Sequence, residues 1–379
     1  MPRIVMAPDS FKGTLTATDA ANALADGWGS VRPGDEIVLA PMADGGEGTL
    51  DALAAAVARA VRVPVTVPGH DGTPIEAMWL RLPAPDGAGD GAEGGVGVVE
   101  LAQTSGIELL GGRLLPWTAS TRGFGVAIAD ALAAGVSRLV LAIGSSASTD
   151  GGVGVLQALG ARFTDSGGAL IGDGVAGLEQ LVAVDLEGLA ALPPGGARVL
   201  TDVTNPLLGP QGAASVFGPQ KGLDAEGVAR ADVALARLAS LVPSFDPATP
   251  GAGAAGGTGW ALGAWGAELV AGAPEIAALT GLADRVASAQ LVITGEGSYD
   301  PQSAAGKVPA YVASLAHGRT ALVAGLIDPD ADTSPFATSV SLADLAGSLE
   351  SAIKDPAVWL RASGAHLARE LGPRLAGDT

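Results

Sequence analysis

Cysteine is absent from the 379-residue chain, which excludes disulfides, thiolate metal sites and cysteine nucleophiles together. Histidine is scarce. His70, His317 and His366 stand far apart and form no ligand-spaced pair, so a histidine zinc site is not expected. No basic block exists: 21 Lys and Arg face 40 Asp and Glu, a formal net charge of −19. Such a surface repels nucleic acid and anionic membranes. Acidity that serves only solubility explains that surface equally well. No apolar run reaches membrane-spanning length without polar interruption, and "MPRIVMAPDSFKG" is too poor in apolar residues for a signal peptide. The expectation is a cytoplasmic protein without nucleic-acid or membrane partners. Any anionic ligand must be drawn by a few lysines, arginines or helix N-termini.

What is present points to an α/β protein. Hydrophobic residues make up 48% of the chain and there are 57 glycines. "RIVMAP" and "EIVLAP" are short apolar runs, each followed by a polar loop and a helical stretch. Unbroken apolar strands alternating with amphipathic helices predict a parallel sheet covered on both faces. Ligands of such sheets bind beyond the carboxyl ends of the strands. Residues 61–82 alternate in a strand-like manner around "HDG" and predict a hairpin, with His70 structural. The low-complexity stretch 83–95 predicts a mobile surface loop. The β-α style returns at "AQLVITGEG". The expected architecture is therefore two domains: a discontinuous Rossmann-like one over 1–68 and 286–379, and an α/β domain inserted over 69–285. The active site is expected in a cleft between them. The tryptophans are expected to be packing residues, and His317 to favour a helix C-terminus.

Phosphate-loop patterns give little. Around Gly306-Lys307 the P-loop spacing fails at both its glycine and its hydroxyl position. "GAGAAG" (251–256) satisfies the dinucleotide fingerprint but follows "SFDPATP" rather than a strand. The loop "IGSSASTDGG" (143–152) does follow an apolar run and precede a helical one. Gly144, Gly151 and Gly152 permit close backbone approach, and Ser145, Ser146, Ser148 and Thr149 offer hydroxyls. Taken alone, it reads equally well as a phosphate cradle or as a turn capped by Ser148 or Asp150.

Other loops tilt that balance. Strand ends carry "DSFKG" (Asp9, Ser10, Lys12), "ADGGEGT" (Asp44, Glu47, Thr49), "TDVTN" (Asp202, Asn205) and "TGEGSYD" (Glu296, Asp300). With Lys12, Arg122, Lys221 and Lys307 they offer hard oxygen ligands of the kind Mg²⁺ takes, a base, and cations for phosphate. Phosphoryl transfer asks for such positioning and charge neutralisation. About half of these loop residues are expected only to cap helices or close turns.

"APDSFKGTL", "ADGGEGT", "DVTNPLLGPQGAASVFGPQKG", "GAGAAGG" and "LVITGEGSYDPQSAAGKVP" closely resemble segments of the type 1 bacterial glycerate kinases, in family order from about 3 to 324. The resemblance implies ATP-dependent phosphorylation of D-glycerate, usually at the 2-hydroxyl, and a two-domain α/β fold. Where the family usually reads "GGSATNDGG", this chain has Ser145 for a glycine and Thr149 for an asparagine.

The expected roles follow from that resemblance and from chemistry. Asp202, Lys12, Asp150 and Lys307 are the catalytic candidates, with Asp202 or Asp150 accepting the hydroxyl proton. Asp9, Ser10, Arg122, Ser146, Ser148, Gly151, Gly152, Asn205, Lys221, Gly256 and Gly257 are the substrate and phosphate candidates. Asp44, Glu47 and Glu296 are the Mg²⁺ candidates. A homodimer is left open. So is another small hydroxy-acid or 3-phosphoglycerate-forming kinase, or a non-catalytic nucleotide-binding relative.

Overall fold

The computed structural model describes residues 1–84, 94–303 and 307–375. The stretch 83–95, expected to be a mobile loop, falls mostly outside the described residues. Among the described residues, thirteen strands, numbered along the chain, are shared between two compact units. One takes in Met1–Asp44, Asp51–Ala58 and Gly272–Thr379; the other takes in Gly45–Leu50 and Arg59–Ala271.

In the first unit β1 (Arg3–Pro8), β2 (Glu36–Leu39), β11 (Leu291–Tyr299), β12 (Thr320–Ile327) and β13 (Thr338–Ser341) form one sheet in the order β13-β12-β11-β1-β2. Every pairing is parallel. The run "RIVMAP" is buried from Ile4 onward and "LVITG" through its length, as strands covered on both faces require. The helix Ala17–Val31 starts at Thr16, whose side chain accepts from the Asp19 amide at 3.1 Å. It lies against the helix Pro356–Glu370 at two glycines. A Cβ on Gly27 would strike the Arg361 carbonyl, and one on Gly364 the Leu24 carbonyl. From β1 the chain passes to β2 on one side, whereas β11 lies on the other. The strand order therefore reverses between β1 and β11, the place where open α/β sheets form a ligand crevice.

The second unit holds β3 (Val61–Pro68), β4 (Pro74–Leu82), β5 (Val96–Glu100), β6 (Arg138–Ala142), β9 (Ala197–Leu200) and β10 (Glu268–Val270), in the order β10-β9-β6-β5-β4-β3. Pairing is parallel from β10 to β5 and antiparallel from β5 to β3. A separate ribbon joins β7 (Arg162–Thr164) to β8 (Ala183–Asp185). The predicted hairpin is β3–β4, paired over all of Val61–Pro68. A boundary at residue 68 would leave β3 without its partner, so the second unit begins before the hairpin. At the other end the helices Gly272–Thr280 and Leu282–Ala287 belong to the first unit, ahead of the expected 286.

Trp28, Trp79 and Trp260 are fully buried. Their indole N–H groups donate to Asp35, Asp130 and the Phe245 carbonyl. These tryptophans are packing residues with satisfied donors. Among the described residues no helix is long and apolar enough to cross a membrane.

Candidate active site

The carboxyl ends of β1, β11 and β12 open on a cavity of about 400 Å³ within the first unit. Asp9 follows β1 directly and is 6% exposed; its Oδ1 accepts from the Ser10 amide at 2.6 Å. Burial, with the charge of nearby Asp44, pushes the Asp9 carboxyl well above its ordinary range. Glu296, on β11, is 7% exposed, and burial pushes it up to about 7. Its Oε1 is buried without a hydrogen-bond partner. Lys12 is exposed, and its Nζ lies 3.9 Å from Asp44 Oδ2. Asp300 and Lys307 border the same cavity. The Asp300 Oδ1 accepts from the Ser303 amide at 2.8 Å. Buried acids that raise one another's pKa beside an exposed ammonium form a site poised for a cationic or phosphorylated ligand.

The second unit builds a different arrangement around β6. Residues 143–152 leave the strand and lead into the helix Val153–Ala158. Asp150, 1% exposed, accepts from the Thr121 amide and hydroxyl at 2.8 and 2.7 Å and from the Gly152 and Gly154 amides at 3.1 and 3.3 Å. Lys221, 3% exposed, donates to Ser146 Oγ at 2.7 Å and to the Ser148 carbonyl at 2.6 Å. Burial lowers the Lys221 ammonium to about 7, against a partial restoring pull from Asp150.

Two neighbouring segments lock the same loop. Gly256 accepts from the Gly151 amide at 3.0 Å, and a Cβ on Gly256 would collide with the Ser148 carbonyl. Ala255, Gly256 and Gly257 all have left-handed backbone, which explains the glycine pair. On the other side Ile107 N donates to the Ser145 carbonyl and Ala147 N to the Ser105 carbonyl. His70 Nε2 stands 3.0 Å from the Gly106 carbonyl, a structural role for the hairpin histidine. Ser145 itself is exposed with φ 60°.

A family model described as "Glycerate kinase family" matches residues 4–372. The chain belongs to the glycerate kinase family. It is 40% identical over 321 residues to the glycerate 2-kinase of Escherichia coli K12, covering 83% of this chain and 82% of that one. It is 40% identical over 331 residues to the glycerate kinase of Bacillus subtilis 168, covering 86% and 84%. A crystal structure described as glycerate kinase 2 from Salmonella typhimurium LT2 superposes with a TM-score of 0.82 at 36% identity, covering 99% of both chains. The chain is thus an enzyme of a kinase family, with the α/β fold read from its sequence.

Against this family background the candidate residues sort by surroundings. Asp9, Ser10, Lys12, Glu296 and Lys307 line one cavity, and the charge of Asp44 reaches Asp9 and Glu296. Among the described residues, no group of three or more His, Cys, Asp or Glu side chains is placed to hold a metal ion. The expected trio Asp44, Glu47 and Glu296 is therefore not an assembled cage; Glu47 is exposed and belongs to the second unit. Asp150 accepts from four donors and is covered by protein, so it ties Thr121 to the loop.

The remaining candidates are occupied to varying degrees. Gly151 and Gly152 are buried with φ 63° and 71°, packed against Leu235, Leu238 and Thr258. Ser148 is fully buried and its Oγ has no partner. Arg122, offered as an anion ligand, is bound to Asp173 at 2.7 Å and to Gln157 at 2.8 Å. Asn205 donates its amide to the Gln211 carbonyl, closing its own loop. Asp202 stands exposed after β9.

Three supporting residues escape a reading of the sequence. The Thr121 hydroxyl donates to Asp150 at 2.7 Å. Asp173 holds Arg122 from 51 positions away. Glu100, 1% exposed at the end of β5, accepts from the Gly48 and Leu50 amides of "ADGGEGT" at 3.2 and 2.9 Å. Its only sequence signal was a carboxylate ending an apolar run.

Proposed function

We propose that the enzyme transfers the γ-phosphoryl of ATP to the 2-hydroxyl of D-glycerate, giving 2-phosphoglycerate and ADP. The observation that carries this reading is the cavity beyond β1 and β11, where buried carboxylates and two lysines meet at the strand-order reversal. Membership of the glycerate kinase family supports the reaction class. The name of the Escherichia coli relative, glycerate 2-kinase, supports the regiochemistry.

Lys12 and Lys307 are the groups that meet the transferring phosphoryl. Lys12 does so from an exposed position, and both replace water as counter-charges in a site whose surroundings are otherwise acidic. The carboxylates fit Mg²⁺: Glu296 has an orphaned buried oxygen, and one or two carboxylates suffice when phosphates and water complete the shell. Glu296 and Asp44 would hold that ion, which supplies charge neutralisation at the β- and γ-phosphates.

A coupled assay tests the product. With D-glycerate and Mg·ATP, enolase alone should consume the product. A requirement for phosphoglycerate mutase would show the 3-phosphate instead, and no ADP formation at all would sink the kinase reading.

A further inference from the structure

The lining of the first unit's cavity is of two kinds. Lys12, Glu296 and Lys307 are polar; Leu326 on β12 and Leu349 and Ile353 on the helix Leu349–Lys354 are apolar. Leu349 and Ile353 are four residues apart and share one helix face. The three are 39%, 43% and 53% exposed, unusual for large aliphatic side chains at a concave surface.

Glycerate cannot account for these apolar side chains. It is a three-carbon acid with an oxygen on every carbon, so apolar surface offers it nothing. A cavity of about 400 Å³ also exceeds its needs; at ~30 Å³ per water that space equals roughly a dozen waters, and glycerate displaces only a few. The other substrate of a kinase is a long molecule with a flat, weakly polar ring system at one end and a polyanion at the other. The cavity's lining offers both kinds of group. Lysine is rare in this chain, being only Lys12, Lys221, Lys307 and Lys354, and two of the four line the cavity. On a protein of charge −19, a polyanion needs both a local cation and an uncharged surface for its remainder.

We propose that the apolar lining, formed by Leu326, Leu349 and Ile353, receives the adenine base and ribose of ATP, with the triphosphate directed to Lys12 and Lys307. This placement rests on the kinase reading but is tested apart from turnover. Binding energy comes from covering the three aliphatic side chains with the base, so it is sensitive to charge introduced there.

The test titrates adenosine and ADP calorimetrically into the wild-type protein and into Ile353→Glu and Leu349→Ser, with KM for ATP and for D-glycerate measured alongside. Ile353→Glu should weaken both ligands by about tenfold or more, raise KM for ATP by a similar factor, and leave KM for D-glycerate within about twofold. Leu349→Ser, the milder change, should move the same quantities severalfold with an unchanged melting temperature. Unchanged adenosine and ADP affinity in both variants overturns the placement, as does a rise confined to KM for D-glycerate. A wild-type protein that binds adenosine and ADP, weakened by these variants, yet never phosphorylates D-glycerate sinks the kinase reading and leaves the nucleoside pocket standing.

Discussion

Two clusters of charged side chains, one in each unit, are paired to different degrees, although Ser148 Oγ beside the second is also buried without a partner. In the first, Glu296 keeps a buried oxygen without a partner, Asp9 is held well above its ordinary pKa, and Lys12 stands in the open. In the second, Asp150 has four donors and Lys221 two acceptors, all inside the protein. An unsatisfied buried oxygen costs free energy that a ligand can recover, whereas a carboxylate and an ammonium already paired inside the protein have less to gain. The comparison sets a cavity with an unpaired buried carboxylate oxygen against a loop whose charged side chains are paired.

The largest effect is expected at the unsatisfied end. Glu296→Gln should lower kcat by about 100-fold, as loss of a charge-positioning group does, while leaving the fold intact. Its folded pKa is raised from 4.5 to about 7, so the stability it contributes is present below pH 4.5 and lost as pH rises through 7. The variant should therefore melt higher than the wild-type protein above pH 7. A lower melting temperature there would break the comparison.

On the paired side, Gly256→Ala should cost about 3 kcal/mol or more, because it adds a Cβ against the Ser148 carbonyl at φ 66°. Denaturant unfolding measures it, and any loss of activity should follow the loss of fold. A variant that unfolds normally but cannot turn over would give the loop a direct chemical role.

Lys221→Met is the next smaller change. The folded pKa of Lys221 is lowered from 10.5 to about 7, so the unfolded chain binds the extra proton between those values. Wild-type stability should rise relative to the variant from pH 7 to 10, by up to about 1 kcal/mol per pH unit, and be flat below pH 7. A difference independent of pH would mean that Lys221 stays charged when buried. The smallest effect belongs to Ser145→Gly. It relieves left-handed backbone at an exposed position and should raise stability by no more than about 1 kcal/mol, since glycine also loosens the unfolded chain.

The sequence disclosed the parts of the fold that depend on local pattern. Apolar runs at "RIVMAP" and "LVITG" identified the parallel sheet, and alternation over 61–82 identified the β3–β4 hairpin. The loops at strand ends pointed to Asp9, Lys12 and Glu296, since a carboxylate after a buried strand is displayed at the sheet's rim. What stayed hidden depends on contacts between distant residues. Two of the donors to Asp150 come from Thr121, 29 positions away. Arg122 looked available because Asp173 is not its neighbour in sequence. Gly256 and Gly257 looked like a phosphate loop, whereas their left-handed backbone and the approach of Ser148 give them a packing reason.

The contact of Gly27 and Gly364 sets the timing of assembly. The helix Ala17–Val31 emerges early from the ribosome, but the helix against which it packs is Pro356–Glu370. At roughly 10 residues per second the first helix waits about half a minute for that partner. The second unit, nearly continuous over Arg59–Ala271, is complete well before then. Synthesis thus runs against the usual order in which the earlier portion folds first, and the nascent chain carries the helix Ala17–Val31 with an uncovered face until Pro356–Glu370 appears.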